Sequence, residues 1–337
     1  MGPDRFRAII RKGANKGVSE QSRASIHKGY GQYLHHRRSS HTDDAVTLSG
    51  VADFVNGLAE RGCRPRTIAT YVAGLRLAVG LAKVPGDWSW LDEAATALRQ
   101  WAWAQPKRKH SRQLPHALDV WRLGHALFTQ GSKAPGHLLS SAAMVRDGAM
   151  LMLLIAAPLR LSNLVGLTIG GTLDVQGGMP TRYSFSSSRT KGRRAIGATL
   201  WPEVRGALLT YIRDWRPLLA RGYCGDELWL TGQGSAPGPL GTSGIYRIVR
   251  TRTKAAFGEA LSPHYMREVA ATTMLEAHPE QPRAASDLLH HHHPEAIAEY
   301  TQRASSTVAC RAMQAAWSSK REKARMELVN RGASRSG

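Results

Sequence analysis

Pro263-His264-Tyr265-Met266-Arg267, followed by Leu288-Leu289-His290-His291-His292-His293-Pro294-Glu295-Ala296-Ile297-Ala298-Glu299-Tyr300, is the part of the chain on which the reading of the fold turns. Pro263 suits the first turn of a helix, which puts His264 and Arg267 on one face at its N-terminus, where backbone amides also favour an anion. Pro294 likewise suits a helix start, leaving His290 to His293 in the turn before it and Tyr300 inside the helix. The interval between His291 and Tyr300 is not a same-face spacing, so the two converge only if the helix breaks at the histidines. Together with Arg160 upstream, these acid–base, cationic and nucleophilic groups suffice for chemistry on a phosphodiester without a metal.

The histidine run invites a metal reading. Adjacent side chains on a turn point apart, however, and no cysteine or carboxylate ligand pattern accompanies them, so neither a metal nor any other cofactor is expected. Arg160 follows Pro158-Leu159 directly after an apolar helix. It either caps that helix through the dipole or faces a substrate.

Composition points outward from these motifs to a polyanion. The 337 residues carry 46 Lys and Arg against 25 Asp and Glu, a formal net charge of +21. A compact protein so charged repels itself unless something negative neutralises it, and nucleic acid is the simplest such partner. Hydrophobic content of 42% and charged content of 21% are those of a folded chain. The length allows two domains, since single cores rarely grow beyond about 250–300 residues. Cys63, Cys224 and Cys310 are far apart and without metal-ligand spacing, as unpaired thiols in a reducing compartment would be. The N-terminus lacks an apolar signal core. The longest apolar run, Ala149 to Ala157, falls short of the ~20 residues that span a bilayer. A cytoplasmic protein without a membrane partner is expected, nucleoid-associated if bacterial.

Residues 1–40 hold nine Lys or Arg and two acids, and read as a mobile basic arm. Residues 41–104 read as a helical DNA-binding domain. One helix, bearing Val51, Phe54, Val55 and Leu58, is capped at Gly62; a second, from Thr67 to Leu81, has Ile68, Tyr71, Val72, Leu75 and Val79 on one face; a third follows Asp87. The indoles of Trp101 and Trp103 are expected in its core. The cation-rich stretch 105–115 reads as a linker, 116–315 as the larger domain, and 316–337 as a basic tail, either docked on a neighbouring subunit or frayed. The larger domain should be mostly helical, with helices near 118–129, 144–157, 203–215, 243–257, 267–277 and 282–289. Two short strands, 183–188 and 194–200, should flank Arg189-Thr190-Lys191-Gly192-Arg193, with Gly192 permitting a tight reversal.

On these residues the chain resembles the tyrosine recombinases, also called phage integrases. Pro158-Leu159-Arg160-Leu161-Ser162-Asn163-Leu164 is similar to the family's G-L-R-x-S-E-L box, Pro263 to Arg267 to its H-x-x-R box, and Leu288 to Tyr300 aligns without a gap on L-L-G-H-S-S-x-x-T-T-x-x-Y. Thr67-Ile68-Ala69-Thr70-Tyr71 looks like part of the family's DNA-clamping domain. The chain departs from the pattern at Asn163, where an acid is usual, at His290, where glycine is usual, and at Ala296 and Ile297, which replace two threonines. Asn163 could still orient Arg160 by hydrogen bonding.

The resemblance implies a mainly α fold with a small β-sheet, a helical clamping domain and an α+β catalytic domain. It implies a site-specific recombinase that cleaves and rejoins double-stranded DNA through a 3′-phosphotyrosine. Tyr300 would be the nucleophile, His264 the base, Arg160, Arg267 and His291 the phosphate ligands, and Lys191 the general acid, with Arg189 competing for that last position. Four protomers would act on two DNA duplexes at specific sites. A type IB topoisomerase-like or hairpin-forming strand transferase would use the same residues. A noncatalytic DNA-binding protein that retains the fold is a third reading.

Overall fold

The computed structural model describes residues 20–105, 114–134, 138–190, 194–232 and 234–290. The chain divides between Ser111 and Arg112 into two compact units, each with its own hydrophobic core. The tail 316–337 and most of the expected linker 105–115 lie outside the described residues.

The first unit contains helices α1 (Glu20–Ser39), α2 (Leu48–Glu60), α3 (Pro65–Leu81) and α4 (Ser89–Ala104). Over Glu20–Ser39 helix α1 stands where a mobile arm was expected, while residues 1–19 of that expected arm lie outside the described residues. Its cations obscure a stripe of Ile26, Tyr30, Tyr33 and Leu34, which recurs at helical spacing and is buried in the core. Burying that stripe outweighs the charge around it. Gly29 and Gly74 let α1 and α3 cross closely: a Cβ on Gly29 would stand 2.6 Å from the Tyr71 carbonyl oxygen. The Thr47 hydroxyl caps α2 by accepting from the Gly50 amide at 3.1 Å. Gly62, at φ 72°, supplies the left-handed residue after its end.

Trp101 and Trp103 do not pack in the core; they are 46% and 56% exposed. The buried face of α4 is formed by Leu91, Ala95 and Ala102, and residues on either side of Ala102 project away from that face. The Arg66 guanidinium lies 5.1 Å over the Trp103 ring.

In the second unit, α5 (Ala117–Lys133) and α6 (Leu139–Ala156) form a tight pair, followed by α7 (Leu161–Val165), strands β1 (Leu173–Gln176), β2 (Met179–Phe185) and β3 (Ile196–Thr199), then α8 (Pro202–Thr210), a π-helical turn (Tyr211–Trp215), α9 (Arg216–Ala220), α10 (Thr242–Phe257), α11 (Pro263–Ala277) and α12 (Pro282–Leu288). This is a mostly helical architecture with one small antiparallel sheet, in the order β1-β2-β3. Helix α6 is buried nearly all round and is the central rod of the core. It is long and apolar enough to cross a membrane, but 72% of it is buried inside the protein. Its two charged residues are compensated: Arg146 donates to Asp147 at 2.6 Å and to the Leu230 carbonyl at 2.6 Å, and Asp147 also accepts from Arg252 at 2.9 Å.

The sheet differs from expectation at both ends of β2. The sequence reading missed β1, which pairs with β2 through the Gly177-Gly178 turn; both glycines have positive φ, 56° and 80°, as a two-residue hairpin turn requires. Strand β2 pairs with β3 out to Phe185 and Ile196, which leaves 186–195 as the connection. That is longer than the tight reversal expected at Gly192, and it begins with a 3₁₀ turn at Ser187–Arg189.

Candidate active site

Arg160 stands where α6 gives way to α7. Ala157 ends α6 by donating to the Leu153 carbonyl at 2.7 Å, and Pro158 cannot continue the helix. Arg160 then takes extended backbone, φ −64° and ψ 147°, and its carbonyl accepts from the amides of Asn163 at 2.8 Å and Leu164 at 2.9 Å. It opens α7 rather than closing α6, and its side chain is half-buried. The Asn163 side chain is buried; its Oδ1 accepts from Ser162 at 3.4 Å, and its Nδ2 has no partner among the described residues. The link from Asn163 to Arg160 runs through the main chain instead.

Ser262 is the extended residue before α11 and Pro263 its first residue, as the proline indicates; the helical pattern over 267–277 marks only the later part of the helix. His264 and Arg267 fall in its first turn. Met266, Val269 and Ala270 bury the opposite side. His264 is exposed at the rim, yet loss of hydration, then the Arg267 and Arg160 cations, hold its imidazole below the usual histidine range.

Arg267 is buried and joins three segments. Its Nη1 donates to the Pro158 carbonyl, two residues before Arg160, and its Nη2 donates to the Leu289 carbonyl at 2.6 Å, two residues before His291. A planar fork can span two such carbonyls where a point charge cannot. The structure thus places His264 and Arg267 on one helical turn and ties the segment that carries Arg160 to that turn through the Pro158 carbonyl.

Lys191, His291 and Tyr300 lie outside the described residues. The neck of the Lys191 connection is described: the Thr190 hydroxyl donates to the Arg194 carbonyl at 2.6 Å and accepts from the Arg194 amide at 3.1 Å. Arg189, the rival for the general-acid position, belongs to the 3₁₀ turn. Of the histidine run, His290 is described. It adopts the left-handed backbone region, φ 49°, the conformation for which glycine is better suited.

One partner at this site was not legible in the sequence. The Tyr183 hydroxyl of β2 lies 3.1 Å from His290 Nε2, across 107 residues of chain. Burial pushes the Tyr183 phenol up to about 12 against the opposing pull of the Arg267 cation, so it is a neutral hydroxyl at neutral pH. An alternating pattern in β2 marks Tyr183 as inward-facing, but nothing in the sequence points it at His290.

Residues 132–306 match the phage integrase family. The chain is similar to the tyrosine recombinase XerD of Staphylococcus saprophyticus, 24% identical over 284 residues that make up 84% of this chain and 86% of that protein. It is also similar to the tyrosine recombinase XerC of Pseudomonas savastanoi pv. phaseolicola, 29% identical over 260 residues, 76% of this chain and 75% of that protein. Among solved structures, a XerA recombinase is 17% identical and aligns over 92% of this chain and 98% of its own with a TM-score of 0.43.

Proposed function

Because the chain belongs to the phage integrase family of tyrosine recombinases, we propose that it is a site-specific DNA recombinase that cleaves and rejoins double-stranded DNA through a 3′-phosphotyrosine at Tyr300. The observation that carries this reading is Arg267. By bonding the Pro158 and Leu289 carbonyls it holds the segment of Arg160, the His264 turn and the approach to His291 around one point.

In the reaction, the Tyr300 oxygen attacks a backbone phosphorus, a phosphate–tyrosine bond forms, and the bond to the 5′-oxygen breaks. A tyrosine has an unperturbed pKa near ~10 and needs a base to attack at neutral pH. His264 serves as that base, because its depressed pKa keeps the ring neutral and ready to accept a proton. The Arg160 and Arg267 cations offset the charge that builds on the nonbridging oxygens, and His291 adds a hydrogen bond to the same phosphate. Lys191, on the connection closed by Thr190, protonates the departing 5′-oxygen. The phosphotyrosine conserves the bond energy, so a 5′-hydroxyl from a second duplex can reverse the step and exchange strands. Four protomers on two duplexes carry out the full exchange.

The test is incubation with nicked duplexes carrying the recombination site, recovered beforehand by binding selection, followed by denaturing electrophoresis. A covalent protein–DNA adduct that forms with chelator present supports the reading. Salt-sensitive binding without an adduct contradicts it and leaves a noncatalytic DNA-binding protein.

A further inference from the structure

We propose that Tyr183 is a positioning residue for this reaction: its hydroxyl holds the His290 ring and so fixes the turn that leads into His291 to the sheet whose next connection carries Lys191. The inference rests on the recombinase reading for its catalytic consequence, but not for the link itself. Three observations converge on it. His290 has φ 49°, a backbone conformation that an L-residue with a Cβ adopts at a cost and glycine adopts freely. The Tyr183 hydroxyl and His290 Nε2 are 3.1 Å apart, with the two rings edge-on at 6.4 Å. The peptide group that enters His290 is also held: its carbonyl, on Leu289, accepts from Arg267 at 2.6 Å, and its amide, on His290, donates to the Asp287 carbonyl at 2.9 Å.

A histidine at this position therefore contributes a bond that glycine could not, and that bond reaches β2. Tyr183 is fixed in turn by its register with Leu173 on one side and Ala198 on the other. The line Pro158–Arg267–Leu289–His290–Tyr183 ties the Arg160 loop, α11, the turn after α12 and the hairpin into one frame. When Nδ1 carries the ring proton, the hydroxyl donates and Nε2 accepts. Replacing His290 by glycine removes both the need for the bond and the bond itself, so the role of Tyr183 should depend on which residue stands at 290.

The test compares wild type, Tyr183→Phe, His290→Gly and the double variant by amide hydrogen exchange over 285–290 and by single-turnover cleavage of a nicked duplex carrying the recombination site. Tyr183→Phe is expected to speed exchange and, with DNA affinity unchanged, to slow cleavage about tenfold, the worth of one ordinary hydrogen bond. In the His290→Gly background the same change should alter neither readout. Unmoved exchange in Tyr183→Phe, or an equal effect in both backgrounds, overturns the inference. If wild type forms no adduct while exchange responds as expected, the recombinase reading fails and the positioning link stands.

Discussion

Replacing Arg267 by lysine keeps the positive charge and removes the fork. Arg267 is 3% exposed, and two of its nitrogens donate to the main-chain carbonyls of Pro158 and Leu289. Hydrogen bonds from a charged donor are each worth about 1.5–3 kcal/mol. A lysine ammonium reaches one of two carbonyls on opposite sides of the guanidinium and leaves the other buried without its donor, so Arg267→Lys should cost about 2 kcal/mol of stability. The catalytic loss should be larger. Loss of one preorganised donor to a developing oxyanion typically costs about 10²- to 10³-fold in rate, and here the substitution also loosens the segments that carry Arg160 and His291. Urea unfolding of the full chain reads the first number, and single-turnover cleavage reads the second. A lysine variant with the wild-type urea midpoint and a cleavage rate within about twofold of wild type would refute the claim that the bidentate geometry organises the site.

Other substitutions and conditions probe separate parts of the structure. Cleavage should fall as the pH falls, because protonated His264 cannot accept a proton. Since desolvation, Arg267 and Arg160 depress its pKa, the acid limb should lie below pH ~6.5. The same depression means that the unfolded chain binds this proton more readily, so the stability contribution is fully present above the unfolded value and is lost as pH falls from there through the lower folded value; Arg267→Gln should move the acid limb upward. Gly148→Ala should destabilise the second unit by about 1–3 kcal/mol, because its Cβ would stand 2.5 Å from the Gly124 carbonyl oxygen and the Phe128 amide where α5 and α6 cross; thermal unfolding checks this. Asp147→Ala strands the buried Arg146 without its carboxylate and should cost about 3–5 kcal/mol, measured by urea unfolding.

Local chemistry was legible in the sequence and long-range contact was not. Pro263 announces the start of α11, and Gly62 the end of α2, because each residue type has a backbone conformation that suits one position at a helix terminus. The H-x-x-R spacing already placed His264 and Arg267 on one turn. Helix α1 was missed because nine cations over residues 1–40 drew the reading towards a mobile arm, although Ile26, Tyr30, Tyr33 and Leu34 carried the helical period. Strand β1 was missed for a different reason: it is four residues long, too short for its alternation to register, and the Gly177-Gly178 pair was the available signal. The placement of Trp101 and Trp103 failed because hydrophobicity was weighed without asking which face of α4 carries Leu91, Ala95 and Ala102. The bonds of Arg267 to Pro158 and Leu289, and of Tyr183 to His290, join positions 22 to 109 residues apart; only the folded chain brings them together.

The most direct measurement is to trap the covalent complex on a nicked duplex, digest both components and map the modified peptide by mass spectrometry. A nucleotide adduct on Tyr300, absent from Tyr300→Phe under identical conditions, is the predicted result. An adduct on another residue, or one that persists in Tyr300→Phe, would contradict the proposed nucleophile and with it the assignment of the surrounding site.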